Sequence, residues 1–173
     1  MATTKRKAKA TPVKQRQPAK RGSRGAPSLR GCPLNYEVEA DAPDVRAALG
    51  RLRKADRALL RAAERHIARY CKDVLTHLDA GDRPAIELRR VGDVWKHVQL
   101  GFELGVSRRS RGDAEDGVYF SLECNCDWDV EHGLQLVIRD GRAVTKVGAF
   151  DGHVTNSDAY ADRSLAGVVY VPM

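Results

Sequence analysis

Val118-Tyr119-Phe120-Ser121-Leu122-Glu123-Cys124-Asn125-Cys126-Asp127-Trp128-Asp129-Val130-Glu131-His132-Gly133-Leu134-Gln135-Leu136-Val137-Ile138-Arg139-Asp140-Gly141 is the stretch that decides the fold. Val118, Phe120, Leu122, Cys124 and Cys126 alternate with Tyr119, Ser121, Glu123 and Asn125, the period of a strand with one face in a core. An acidic turn follows, and a second β-pattern resumes at Leu134. Residues 134–139 and 142–148 then flank Asp140-Gly141, a strong signal for a two-residue hairpin.

Upstream, the period changes to that of a helix. Leu60, Ile67, Val74 and Leu78, with Ala63 and Cys71 between them, form one apolar stripe from about Lys54 to Leu78. Asp41-Ala42-Pro43 supplies a start, with Asp as cap and Pro in the first turn, and Gly50 marks an interruption. Asp79 to Pro84 ends the helix with Gly followed by Pro. Tyr36-Glu37-Val38-Glu39 reads as a short strand. Val94, Val98, Leu100, Phe102 and Leu104 alternate with Trp95, His97, Gln99 and Glu103 as a half-buried strand. The charged residues 107–116 read as a solvated loop, and 168–171 as a last strand. A helix followed by hairpin-linked strands predicts an α+β fold, a long helix packed on a mostly antiparallel sheet.

Charge divides the chain. Residues 1–30 hold ten Lys or Arg and no acid, while the rest carries twenty bases against 23 acids. Residues 113–162 alone hold eleven acids and three bases. Residues 1–31 offer almost nothing to bury, so the sequence predicts a disordered basic arm ahead of one domain over 32–173. Lys5, Arg6, Lys7, Lys9, Lys14, Arg16, Lys20, Arg21 and Arg24 suit a nucleic acid or another polyanion. With no aromatic residue to stack on bases, such binding is expected to be sequence-blind. No apolar run is long enough to span a bilayer and no secretory signal precedes the domain, so a cytoplasmic protein without a membrane partner is expected. Cys32, Cys71, Cys124 and Cys126 have spacings that suit neither a local disulfide nor a zinc knuckle, and read as reduced, packed thiols.

The turn Asp127-Trp128-Asp129-Val130-Glu131-His132-Gly133 crowds three carboxylates, an imidazole and an indole into seven residues. Like charges repel unless a cation intervenes, so the run marks a site. Asp151-Gly152-His153 follows the next strand, and a meander brings the two turns to one end of the sheet. Asp127, Asp129, Glu131, His132, Asp151 and His153 would then gather. Three readings stay open: a divalent metal held by His132, His153 and Asp127, acid–base chemistry by a His–carboxylate pair, or a structural knot in which the carboxylates cap the turn. An EF-hand fails on spacing, since Gly133 falls at position seven and Ile138 at twelve. His-Glu-x-x-His, Gly-x-Ser-x-Gly, P-loop and Rossmann patterns are all absent. On the helix, Arg53, Arg57, Arg61, Arg65 and Arg69 recur every fourth residue with Asp56 and Glu64 interleaved, which reads as a solvated face partly neutralised or as a phosphate-contacting ridge.

The block 118–124, then Trp128-Asp129-Val130-Glu131-His132-Gly133-Leu134, then Val147-Gly148 and Asp151, resembles a family of uncharacterised bacterial domains. Its signature is a Tyr-x-x-x-Glu strand, Trp-Asp-x-Glu-His-Gly, and a hairpin ending in Val-Gly-x-x-Asp. The resemblance implies that Glu123, Trp128, Asp129, Glu131, His132, Gly133 and Asp151 are defining positions, without giving any of them a role. It also implies an accessory role, immunity-like in some members. Together these features predict a non-enzymatic binding or accessory protein with an acidic site for a protein partner and a polyanion-binding arm. A metal-dependent enzyme built on the His/carboxylate cluster is the rival expectation.

Overall fold

The computed structural model describes residues 28–101 and 103–173. The basic arm up to residue 27, and Phe102, lie outside the described residues. Among the described residues one long helix covers a six-stranded, mostly antiparallel sheet, the α+β architecture expected. The elements run β1 (Leu34–Tyr36), α1 (Pro43–His77), a 3-10 helix (Val91–Lys96), β2 (Val98–Gln99), β3 (Leu104–Arg109), β4 (Gly117–Cys126), β5 (Leu134–Arg139), β6 (Ala143–Gly148), α2 (Asn156–Ala159) and a 3-10 turn (Arg163–Leu165).

The sheet order is β1-β3-β4-β5-β6, with β2 on the far end of β4. β1 lies parallel to β3, Leu34 opposite Leu104, and every other pair is antiparallel. Phe120, Leu122 and Cys124 stand beside Ile138, Leu136 and Leu134 on the face that α1 covers. Strand parity thus sorts the residues as expected, burying the thiols of Cys124 and Cys126. The four cysteines form no disulfide. At Asp140-Gly141 both residues have positive φ, 53° and 63°, the mirror-image turn whose twist matches the strands it joins. Gly141 is also pressed onto α1, where a Cβ would stand 2.2 Å from Ala48 O.

Several expectations change. α1 runs unbroken through Gly50, because Val45, Ala48 and Leu52 bury on both sides of it and outweigh a glycine cost of about 1 kcal/mol. The cap is Ala42, with no side-chain hydrogen bond; Asp44 in the first turn instead takes a bidentate Arg108. The strand expected across 94–104 breaks into a 3-10 helix, the short β2 and β3. At Gly101 the backbone passes so close to β4 that a Cβ would lie 1.8 Å from Glu123 O. The solvated loop expected over 107–116 is shorter: β3 continues to Arg109, the loop with exposed residues 110–114 follows, and Arg109 and Glu115 are buried at its two sides. Residues 168–171 form no strand; Val169 O accepts one bond from Val147 N at 2.7 Å, and no ladder develops.

The C-terminal segment covers the outer half of the sheet's second face. Arg109 binds Asp158 at 2.9 Å and also Asp113, while Glu115 accepts from Gly167 N at 3.2 Å and from Ser157 Oγ. These bonds close a buried charged network over Tyr119 and Val137 and leave the inner half of that face open.

Candidate functional site

The Trp-Asp-x-Glu-His-Gly turn is tied to α1. Asp129 Oδ2 accepts from Tyr70 OH at 2.7 Å, and Oδ1 accepts from His132 N at 2.9 Å with His132 Nδ1 at 3.3 Å. Burial raises the Asp129 carboxyl pKa, but the Tyr70 and His132 hydrogen bonds and the imidazole outweigh it and hold it below the usual value. Burial and the Asp129 carboxylate push the Tyr70 phenol far above its ordinary value, so it stays a donor. Trp128 is buried edge-on to Tyr70, ring centroids 6.0 Å apart. Gly133 has φ +68°, and a Cβ there would stand 2.5 Å from Cys124 O, so the tight return to β5 requires glycine. At the tip Val130 is 90 % exposed, and Glu131 is exposed beside it.

The remaining members of the expected cluster go elsewhere. Asp127 Oδ2 faces His97 Nδ1 at 3.0 Å, an imidazole that the turn sequence does not contain. Asp151 binds the ammonium of Lys146 and accepts from His153 N at 2.9 Å, with His153 Nδ1 at 3.6 Å. The two turns do meet, through Phe150 N and His132 O at 3.3 Å, yet His132 and His153 each stay with their own neighbouring carboxylate. The gathering of Asp127, Asp129, Glu131, His132, Asp151 and His153 is therefore not formed. Among the described residues no group of three or more His, Cys, Asp or Glu side chains is close enough to hold a metal ion.

Glu123 separates from these residues and belongs to a different place. It stands on the sheet face opposite α1, in an open cleft of about 290 Å³. Glu37, Glu103 and Glu123 surround it, with Asn35, Ser121 and Gln135 on its floor. Glu123 lies directly across from Gln135, and Glu103, just ahead of β3, lines the same cleft. Gln135 Nε2 donates to Ser121 Oγ at 3.0 Å, while its buried Oε1 has no hydrogen-bond partner. Phe150 and Val154 form the apolar wall. Parity alone placed Glu123 outward; its neighbours come from four other segments and no local pattern announced them.

The cationic side of α1 also differs from its sequence reading. Asp56 and Glu64 do not neutralise the arginines. Asp56 is buried and accepts from Ser28 Oγ and Leu29 N, and Glu64 accepts from Trp95 Nε1 at 2.9 Å. Burial raises the Asp56 carboxyl pKa, but these bonds and the Arg57 N–H lower it by more. At 100° per residue Lys54, Arg61, Arg65 and Lys72 fall on one line of the helix, with Arg57 and Arg69 flanking it. All six are exposed, and none forms an ion pair among the described residues. The line spans about 27 Å. Residues 28–30, expected within the arm, are held against α1, with Leu29 buried in the core.

No helix among the described residues is long and apolar enough to cross a membrane. No curated protein and no solved structure matches the chain. The chain belongs to the family described as Domain of unknown function (DUF6985), which matches residues 29–154.

Proposed function

We propose that the protein is a non-enzymatic accessory protein that binds the phosphate backbone of a nucleic acid without regard to sequence. The line of Lys54, Arg61, Arg65 and Lys72, exposed and without an ion pair among the described residues, carries this reading. Ser28 and Leu29, the first described residues, are anchored to Asp56 on the buried side of α1, and the sequence ahead of them carries nine further cations between residues 5 and 24. The cations of the helix line and those of residues 5–24 each release condensed counterions from a polyanion, and that release drives binding. Residues 1–27 contain no aromatic residue and the one tyrosine of α1, Tyr70, is buried away from the cationic line, which leaves backbone contact as the mode of recognition. An immunity-type role is compatible with this arrangement and assigns the acidic side of the molecule to a basic protein.

The test is fluorescence anisotropy of labelled 20-base-pair duplexes of two unrelated sequences, titrated across salt. The expected result is equal affinity for both and a steep salt dependence. Replacing Arg61 and Arg65 by Gln lowers the slope of log K against log salt by about 0.9 per lost phosphate contact. An unchanged slope in that variant refutes the helical part of the reading. Unchanged binding after deletion of residues 2–27 refutes the arm.

A further inference from the structure

We propose that the cleft on the sheet face opposite α1 is a recognition site for an arginine-bearing, basic segment of a partner protein. This goes beyond polyanion binding, uses the other side of the molecule, and stands or falls independently of it.

Three observations point to an occupant. Glu37, Glu103 and Glu123 place three carboxylates around one cleft, and a cation there relieves their mutual repulsion. None of the three forms an ion pair among the described residues. Gln135, only 1 % exposed, lines the same cleft and keeps a buried amide oxygen without a donor. A buried acceptor without a donor is an unmet hydrogen bond, which an arriving N–H satisfies.

The chemistry of the occupant follows from the spacing. The carboxylates come from the residue after β1, the residue before β3 and from β4, and no three of them approach closely enough to chelate one ion. The complementary cation is therefore extended and organic. Glu123 and Gln135 stand side by side on adjacent strands, about 5 Å apart at Cβ, so one planar guanidinium can donate to both at once. An ammonium is a point donor and reaches one of them well. Phe150, 38 % exposed at the wall, offers a ring face on which the guanidinium stacks. Glu103 and Glu37 then receive flanking cations, which makes the ligand a basic peptide in extended form.

The full-length chain is titrated into fluorescein-labelled octa-arginine at physiological salt, with octalysine and spermine in parallel. Expected are saturable binding of octa-arginine, at least tenfold weaker binding of octalysine and spermine, and a loss of at least tenfold in Glu123→Gln. Gln135→Met, which removes the orphan oxygen at similar volume, weakens octa-arginine more than octalysine, and thermal melts show that both variants remain folded. Glu131→Gln removes the same charge outside the cleft and shifts affinity less than twofold. Absence of binding overturns the proposal. Equal losses in Glu123→Gln and Glu131→Gln overturn it, because general charge then suffices. Equal affinity for spermine or octalysine overturns the assignment to arginine. Peptide binding that strengthens when the nine arm cations are replaced by Gln shows that the chain's own arm holds the cleft, and overturns the claim of a partner.

Discussion

Tyr70→Phe tests whether the Trp-Asp-x-Glu-His-Gly turn is held by its bond to α1. The substitution keeps the ring against Trp128 and Tyr170 and removes only the hydroxyl that donates to Asp129 at 2.7 Å. A hydrogen bond to an ionised acceptor contributes about 1.5–3 kcal/mol. Asp129 keeps the His132 N–H, so its carboxylate is not orphaned and the loss falls toward the lower half, about 2 kcal/mol. With a urea m-value of about 2 kcal/mol/M, the unfolding midpoint moves down by about 1 M, read by fluorescence of Trp95 and Trp128. The pH dependence gives a second check. Asp129 has a depressed folded pKa, so its stabilisation is full above the unfolded carboxyl value of about 4 and is lost as pH falls through the folded value. Removing Tyr70 OH removes one cause of that depression. The gap between parent and variant is thus full at pH 7 and narrows below about pH 4. A gap under about 0.5 kcal/mol at pH 7, or one that stays constant into acid, refutes the reasoning and returns the turn's carboxylate to ligand chemistry.

Asp151→Ala leaves the Lys146 ammonium, 2 % exposed, with only His153 O, and costs about 2–3 kcal/mol in urea melts, less than for a fully buried pair because Asp151 is 37 % exposed. Burial already lowers the Lys146 pKa and Asp151 opposes that, so the variant's deficit shrinks as pH rises toward the free lysine value of about 10; a deficit independent of pH counts against the pair. Gly141→Ala places a methyl 2.2 Å from Ala48 O and 2.6 Å from Leu52 N at φ +63°, so a loss of about 3 kcal/mol or failure to fold is expected, and a thermal midpoint near the parent's contradicts the packing described. Burial pushes the Cys71 thiol up to about 11 and those of Cys124 and Cys126 to about 12. At pH 8 the native protein should release no more than one equivalent from a disulfide reagent such as DTNB, and rapid release of two or more refutes their burial.

The hairpin core was legible because its signals are local: alternation across 118–126 and the two positive-φ positions at 140 and 141 each declare themselves within a few residues. Charge misled where partners lie far apart. Arg109 and Glu115 read as solvent-facing because Asp158, Ser157 and Gly167, which satisfy them, are more than forty residues downstream. Asp56 and Glu64 misled in the opposite sense, since helical spacing set them beside the arginines while Ser28, Leu29 and Trp95 drew them inward. The turn's motif stood out as a charge cluster, but the turn alone could not reveal that Tyr70 satisfies Asp129 and His97 meets Asp127. Glu123 was singled out correctly as outward, whereas Gln135 looked like an ordinary polar residue of a strand.

The parallel pairing of β1 with β3 has a kinetic meaning. Leu34 and Leu104 are neighbours in space but are separated by the whole of α1, so closing this edge carries a loop entropy that the β4–β5 and β5–β6 hairpins do not. The three-residue edge is accordingly the last part of the sheet to form and the first to open in native-state fluctuations. Asn35 and Glu37 leave with it, while Glu123 and Gln135 remain on the slow-exchanging centre. A molecule that touches both sets of residues would staple the edge shut. Its apparent affinity would carry the free energy of edge closure, and hydrogen-exchange protection at residues 34–37 would rise in proportion to occupancy.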